Sequence, residues 1–165
     1  MTKIRASDGT VLGYFPTVSG HAWGVAFGGA NIWVVNNTGN SVSKLRASDG
    51  TILGTFAVGP GPTFVAFDGA NIWVSNDGSN TVTKLRARDG VSLGTFTVGQ
   101  SPNGIAFDGA NIWVANTGSN TVTKLRASDG VSLGTFASGL APLGLAFDGA
   151  NIWAANSNSN TVQKF

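Results

Sequence analysis

His21 is the single histidine of this 165-residue chain, and eight Asp are its only acidic side chains, for there is no Glu and no Cys. A lone histidine offers a general base near neutral pH, but a base needs an orienting carboxylate, and none lies near His21 in sequence. A solvent-exposed loop histidine is therefore the expectation. With one His and no Cys, most transition-metal sites are excluded unless they form at a subunit boundary. Asn76-Asp77-Gly78-Ser79-Asn80 faintly has the look of a calcium loop, yet it carries one carboxylate. No catalytic residue, metal ligand or cofactor is assigned.

The repeated charges are cationic. Lys44/Arg46, Lys84/Arg86 and Lys124/Arg126, with Lys3/Arg5 and Lys164 at the ends, place cations two residues apart on what reads as a strand, so both point to one side. A ring of such pairs would suit a polyanion. Against this, Asp8, Asp49, Asp89 and Asp129 each lie three residues beyond an Arg and neutralise it across a turn, and cations near an outer edge discourage sheet-to-sheet aggregation. The structural reading is preferred. A net charge of +2 argues for no nucleic-acid partner.

A third set of candidates lies in the most variable segments, Ser19-Gly20-His21-Ala22-Trp23, Pro60-Gly61-Pro62-Thr63-Phe64, Gln100-Ser101-Pro102-Asn103-Gly104 and Leu140-Ala141-Pro142-Leu143-Gly144. His21, Trp23, Phe64 and Asn103 combine aromatic faces with polar handles, the usual dress of a sugar or small-ligand site. The plainer reading is that loops drift and these residues cap the structure.

What must position all of these is a repeat. Trp33, Trp73, Trp113 and Trp153 are spaced 40 residues apart, each inside a copy of the stretch FDGANIWVANTGSNTVTKL. A constant period of this length marks units that bury their apolar surface only by stacking on one another. In residues 102 to 138, strand A is Gly104 to Phe107, strand B Asn111 to Asn116, strand C Thr121 to Arg126 and strand D Ser132 to Ala137. Asp108-Gly109, Thr117 to Asn120 and Ser128-Asp129-Gly130 are the turns. Strand B is apolar on both faces, as a strand sandwiched between sheets should be. The asparagines ending strand B, Asn36, Asn76, Asn116 and Asn156, and those ending the following turn, Asn40, Asn80, Asn120 and Asn160, read as amides that satisfy backbone groups in the turn. With 24 Gly, 11% charged residues and few helix formers, the chain is all-β. Four short antiparallel strands per period describe a β-propeller blade.

The motif IWVAN, flanked by PNGIAFDG and TGSNTVTKL, resembles the YVTN-type propeller repeat of prokaryotic proteins and is similar to the NHL repeat. The resemblance implies a blade running from an inner strand at a central channel to an outer edge strand. Propellers of this kind serve as lectins, enzymes and protein-binding scaffolds. The related streptogramin lyase-like propellers use His and Glu in metal-assisted acid/base chemistry, a constellation that a chain with one His and no Glu cannot supply.

As one domain, residues 1–165 divide into a partial unit at 1–21 (strands C and D), whole units at 22–61, 62–101 and 102–141, and a partial unit at 142–165 (strands A to C). The two partial units complete one blade. The ends of one chain can meet, giving four blades, or each can meet a second chain, giving eight. The two-chain ring is preferred, because no unit has the bulky outer residues that a quarter-turn per blade would need. Lys3, Ile4, Arg5, Val162, Lys164 and Phe165 would then form the interchain closure. Beginning in mid-repeat suggests a fragment of a longer array or a designed chain. No apolar run reaches membrane-span length, Met1 to Arg5 lacks a secretory apolar segment, and the compartment is open. The reading is a non-catalytic, self-assembling scaffold, with a glycan- or small-ligand-binding propeller as the alternative and a lyase-like enzyme as the remotest.

Overall fold

Strands form here because β-branched and aromatic residues run in blocks of six between turns that only Gly and Asn accommodate easily. Asn40, Asn80, Asn120 and Asn160 each adopt a left-handed backbone, with φ between 46° and 56°, a conformation that asparagine tolerates better than most side chains. Each therefore reverses the chain between strands B and C. The computed structural model describes residues 1–16 and 20–165. Thr17, Val18 and Ser19, the last of which opens the first variable segment, lie outside the described residues.

The N-terminal partial unit is a hairpin of β1 (Thr2–Ile4) and β2 (Val11–Tyr14). Three four-stranded antiparallel sheets follow. The first contains β3 (Ala22–Gly28), β4 (Asn31–Asn36), β5 (Ser41–Arg46) and β6 (Ile52–Ala57). The second contains β7 (Pro62–Phe67), β8 (Asn71–Asn76), β9 (Thr81–Arg86) and β10 (Ser92–Thr97), and the third β11 (Pro102–Phe107), β12 (Asn111–Asn116), β13 (Thr121–Arg126) and β14 (Ser132–Ala137). A three-stranded sheet of β15 (Pro142–Phe147), β16 (Ile152–Asn156) and β17 (Thr161–Lys164) ends the chain. Strands B, C and D of the 102 to 138 unit match their expected bounds. Strand A begins two residues earlier than expected, at Pro102, where the pairing with β12 is irregular before Ile105. The first residue of a strand is a position that suits a residue without an N–H.

The sheets stack through their A strands, β3 on β7, β7 on β11 and β11 on β15. Gly104 shows why small residues recur there: a Cβ on it would lie 2.3 Å from the Leu143 carbonyl oxygen. Between sheets, each buried tryptophan inserts into the core of the next unit. Trp33 packs with Val65, Ile72, Val74 and Leu85, and Trp73 with Ile112, Val114 and Leu125. Phe56, Phe96 and Phe136 lie against Trp33, Trp73 and Trp113 at centroid separations of 5.5 to 5.7 Å. The core is thus a row of sandwiched layers rather than one centre.

Among the described residues the partial units do not form one sheet within the chain, since β1 pairs there only with β2 and β17 only with β16. Both ends of the stack leave apolar faces open. Trp153 is 39% exposed where Trp33 and Trp73 are fully buried, and at the other end Val25 and Phe27 are 59% and 61% exposed. A cleft of about 290 Å³ separates the β1–β2 hairpin from the first full sheet, lined by Met1, Ile4, Phe15, Val25, Ile32 and Leu45 among others. It lies where strands A and B of the incomplete unit would stand.

Candidate functional site

The four channel-mouth candidates lie on or beside neighbouring A strands, and Ser75 Oγ bonds the backbone of both Phe64 and Asn103. His21 immediately precedes β3 and Trp23 lies on it, Phe64 is on β7 and Asn103 on β11. His21 is exposed and held through its backbone, its N–H donating to Thr38 Oγ1 and its carbonyl accepting from the Asn37 N–H. Trp23 is 57% exposed. Asn103 commits its amide to Thr117 Oγ1 at 3.0 Å and to the Ser101 carbonyl, and Phe64 is half-buried. None of the four lines either of the clefts at the two ends of the first sheet.

The cation ring expected from sequence is corrected by the structure. The Arg–Asp half holds: Arg5, Arg46, Arg86 and Arg126 pair with Asp8, Asp49, Asp89 and Asp129 at 2.8 to 3.1 Å, all partly exposed. The lysines, however, are turned inward. Lys44 and Lys84 are buried. Each lies over the tryptophan of its own unit and donates to two carbonyls of the next, Lys44 to Ala87 and Arg88, Lys84 to Ala127 and Ser128. A cation buried this way is stabilised by the indole face and by carbonyl dipoles, and it ties consecutive units together. Lys3, expected at the chain closure, makes the same bonds to Ala47 and Ser48. Lys3, Lys44 and Lys84 are therefore not available as a polyanion surface, while Lys164 is exposed.

The asparagines ending strand B are also reassigned. Asn36 Nδ2 donates to the hydroxyls of Ser41 and Ser43, Asn76 Nδ2 to Thr81 and Thr83, and Asn116 Nδ2 to Thr121 and Thr123. They bond hydroxyls on strand C, not the turn backbone. The turn asparagines do serve backbone groups, Asn40, Asn80 and Asn120 accepting from the N–H of Gly61, Ser101 and Ala141 at the end of their own units. Of the closure residues, Val162 is exposed, Lys164 lies over Trp153, and Phe165 is already engaged against Trp113 and Phe136.

The Asp-Gly pairs do more than turn the chain, which sequence reasoning missed. Asp68 accepts from Trp73 Nε1 at 2.7 Å, from the backbone N–H groups of Ala70 and Asn71 at 2.9 and 2.6 Å, and from Asn71 Nδ2 at 3.0 Å. Asp108 and Asp148 repeat this cradle with Trp113 and Trp153. The signal was the fixed spacing of five residues from Asp to Trp, together with its one break: the first unit reads FGG, so Gly28 stands where the others have Asp. Trp33 Nε1 is consequently buried without a partner among the described residues. Gly28→Asp is expected to raise stability by about 1–3 kcal/mol by pairing that donor, read as a higher unfolding midpoint. No gain would mean that the position cannot seat the carboxylate.

These bonds set the acid response. Burial pushes the Asp68 and Asp108 carboxyls up, but the Trp, Asn and backbone donors outweigh it and hold both below the ordinary range. Trp153 above all lowers Asp148. The Thr51 N–H first, then the Thr51 side chain and Arg46, bring Asp49 down to about 2. A carboxylate with a depressed folded-state pKa stabilises above its unfolded value and loses that contribution as pH falls through the folded one. The unfolding midpoint should therefore fall between about pH 4 and pH 2, less steeply in Asp108→Asn. A midpoint that is flat across that window would contradict the cradle's role.

Repeated four-stranded antiparallel sheets, stacked through their first strands, are matched in solved structures. The chain superimposes on hydrazine synthase of Kuenenia stuttgartiensis with a TM-score of 0.81 at 22% identity, covering 93% of this chain and 48% of that one. It matches a streptogramin B lyase structure at 0.75 and 21% identity, covering 95% and 58%. The computationally designed Ika4 protein matches at 0.81 and 14% identity, covering 92% and 94%. The fold is that of a β-propeller. The chain spans about half the length of the hydrazine synthase chain and nearly all of the designed one. No family model matches the sequence, and no curated protein matches it either. No helix is long and apolar enough to cross a membrane among the described residues.

Proposed function

We propose that the chain is a non-catalytic propeller scaffold of YVTN- or NHL-like repeats, which closes its ring with a second copy of itself into eight blades. One observation carries the reading. Inside the chain Trp33 packs on Val65, Ile72, Val74 and Leu85. Forty residues earlier in the repeat, those four positions are Val25, Ile32, Val34 and Leu45, of which Val25 stands open beside Phe27 while Val34 and Leu45 are already buried within the chain. Trp153 is 39% exposed where Trp33 and Trp73 are fully buried between units. The C-terminal face of one copy therefore complements the N-terminal face of another, by an interface that the chain already uses between its own units. Such a head-to-tail contact closes when the rotation per blade divides the circle, and it removes exposed sheet edges.

The exposure of His21, with no carboxylate near it in sequence, supports the non-catalytic reading. A ring closed by one chain is the competing outcome. The test is co-expression of two differently tagged copies: the scaffold reading predicts that each tag retains the other, and separate elution would overturn it. The exposure of Trp23 favours a second reading, a sugar- or small-ligand-binding propeller. It predicts saturable binding on a glycan array that Trp23→Ala abolishes.

A further inference from the structure

In the first two full units one lysine does two things. Lys44 lies over Trp33 and donates to the carbonyls of Ala87 and Arg88, and Lys84 lies over Trp73 and donates to those of Ala127 and Ser128. In the partial units the two tasks are divided. Among the described residues, Lys164 lies 5.9 Å over Trp153 without a carbonyl partner, while Lys3 donates to the carbonyls of Ala47 and Ser48 without an indole beneath it.

Both lysines stand on strands already seated as the third strand of a unit. β17 runs along β16 with Lys164 opposite Trp153, as Lys124 is opposite Trp113. β1 runs along β2 with Lys3 opposite Gly13, as Lys124 is opposite Gly134. The cleft of about 290 Å³ beside β1 is lined by Val25, Ile32 and Leu45, the counterparts of the Val65, Ile72 and Leu85 that hold Trp33. A Trp153 indole entering it brings β17 along, and one place cannot hold two strands.

We propose that β17 of a second copy takes this place and expels β1, which is thus a removable plug on the assembly face, an inference that rests on the two-copy ring for the source of the incoming strand. β17 is held by contacts that β1 has no side chains to make. Gln163 accepts from the Gly139 N–H and donates to the Ala137 carbonyl, both at 3.1 Å, and Phe165 packs against Trp113 and Phe136. At the matching positions β1 has Thr2 and Ile4, and Ile4 is 56% exposed. The bonds that Lys3 makes, by contrast, are ones Lys164 can take over. Its ammonium then lies over Trp153 and reaches the carbonyls of Ala47 and Ser48, as Lys44 does one unit on.

The experiment is disulfide trapping, for which a chain without cysteine is suited. Thr123 faces Thr135 across β13 and β14, their hydroxyls 3.2 Å apart. In that register Gln163 of the incoming strand faces Tyr14, the residue that Thr2 faces while β1 is in place. Cross-strand neighbours of this kind are within reach of a disulfide. Under mild oxidation Gln163→Cys with Tyr14→Cys is expected to link two chains, at concentrations where the mass is that of two chains. Thr2→Cys with Tyr14→Cys, which leaves Gln163 intact, is expected to link within one chain at high dilution and to lose most of that link on association. Failure of the first pair to link in a two-chain species, or undiminished linking of the second, would overturn the exchange. Should the mass be that of one chain throughout, a link from 163 to 14 inside a single chain keeps the exchange and sinks the two-copy ring, while its absence sinks both.

Discussion

Trp73→Ala is expected to lower the unfolding free energy by about 3–5 kcal/mol, and by the same amount at every protein concentration. Trp73 is fully buried against Ile112, Val114 and Leu125, with Phe96 at 5.6 Å and Lys84 over its face. Removing it empties a layer between two units that both belong to one chain. Trp153→Ala is the informative contrast. Trp153 is 39% exposed within the chain, so at high dilution its loss costs clearly less than that of Trp73. If a second copy covers Trp153, the cost grows with protein concentration, because stability gained from a partner follows mass action. Equal costs for the two variants in dilute solution would show that the C-terminal face is covered from within.

The second large effect is on assembly. Phe27→Asp is expected to weaken association more than a hundredfold, since it places a charge where the tryptophan of a preceding unit would sit. Phe67 and Phe107, its counterparts, pack at the edge of the clusters around Trp33 and Trp73, while Phe27 is 61% exposed. In the single chain the substitution touches solvent and should change stability by no more than about 0.5 kcal/mol. Circular dichroism and thermal unfolding at high dilution separate the two effects. An unaltered association constant would remove this face from the interface.

The repeat was legible because its signals are local. The 40-residue period, the Gly and Asn turns and the doubly apolar strand B can each be read within one unit, and strands B to D fall where expected in the 102 to 138 unit. What was missed depends on partners one unit away. Alternation along strand C puts Lys84 and Arg86 on one side, but it does not reveal that the carbonyls of Ala127 and Ser128 wait for Lys84 in the next unit while a turn carries Arg86 back to Asp89. Likewise the amide of Asn76 found hydroxyls of strand C at 2.9 and 3.1 Å, a cross-strand bond that turn chemistry does not anticipate. The Asp68 cradle was visible only as a spacing, and its meaning came from the exception at Gly28.

In the proposed ring, complementary ends of this chain meet on a second copy. This is tested most directly by the absolute mass in solution, from light scattering coupled to size exclusion, measured over a wide concentration range. A two-chain ring gives a species of twice the 16.8 kDa chain mass, which dissociates on dilution and is lost in Phe27→Asp. A mass of one chain at every concentration, with unfolding independent of concentration, would contradict it and place ring closure within the single chain.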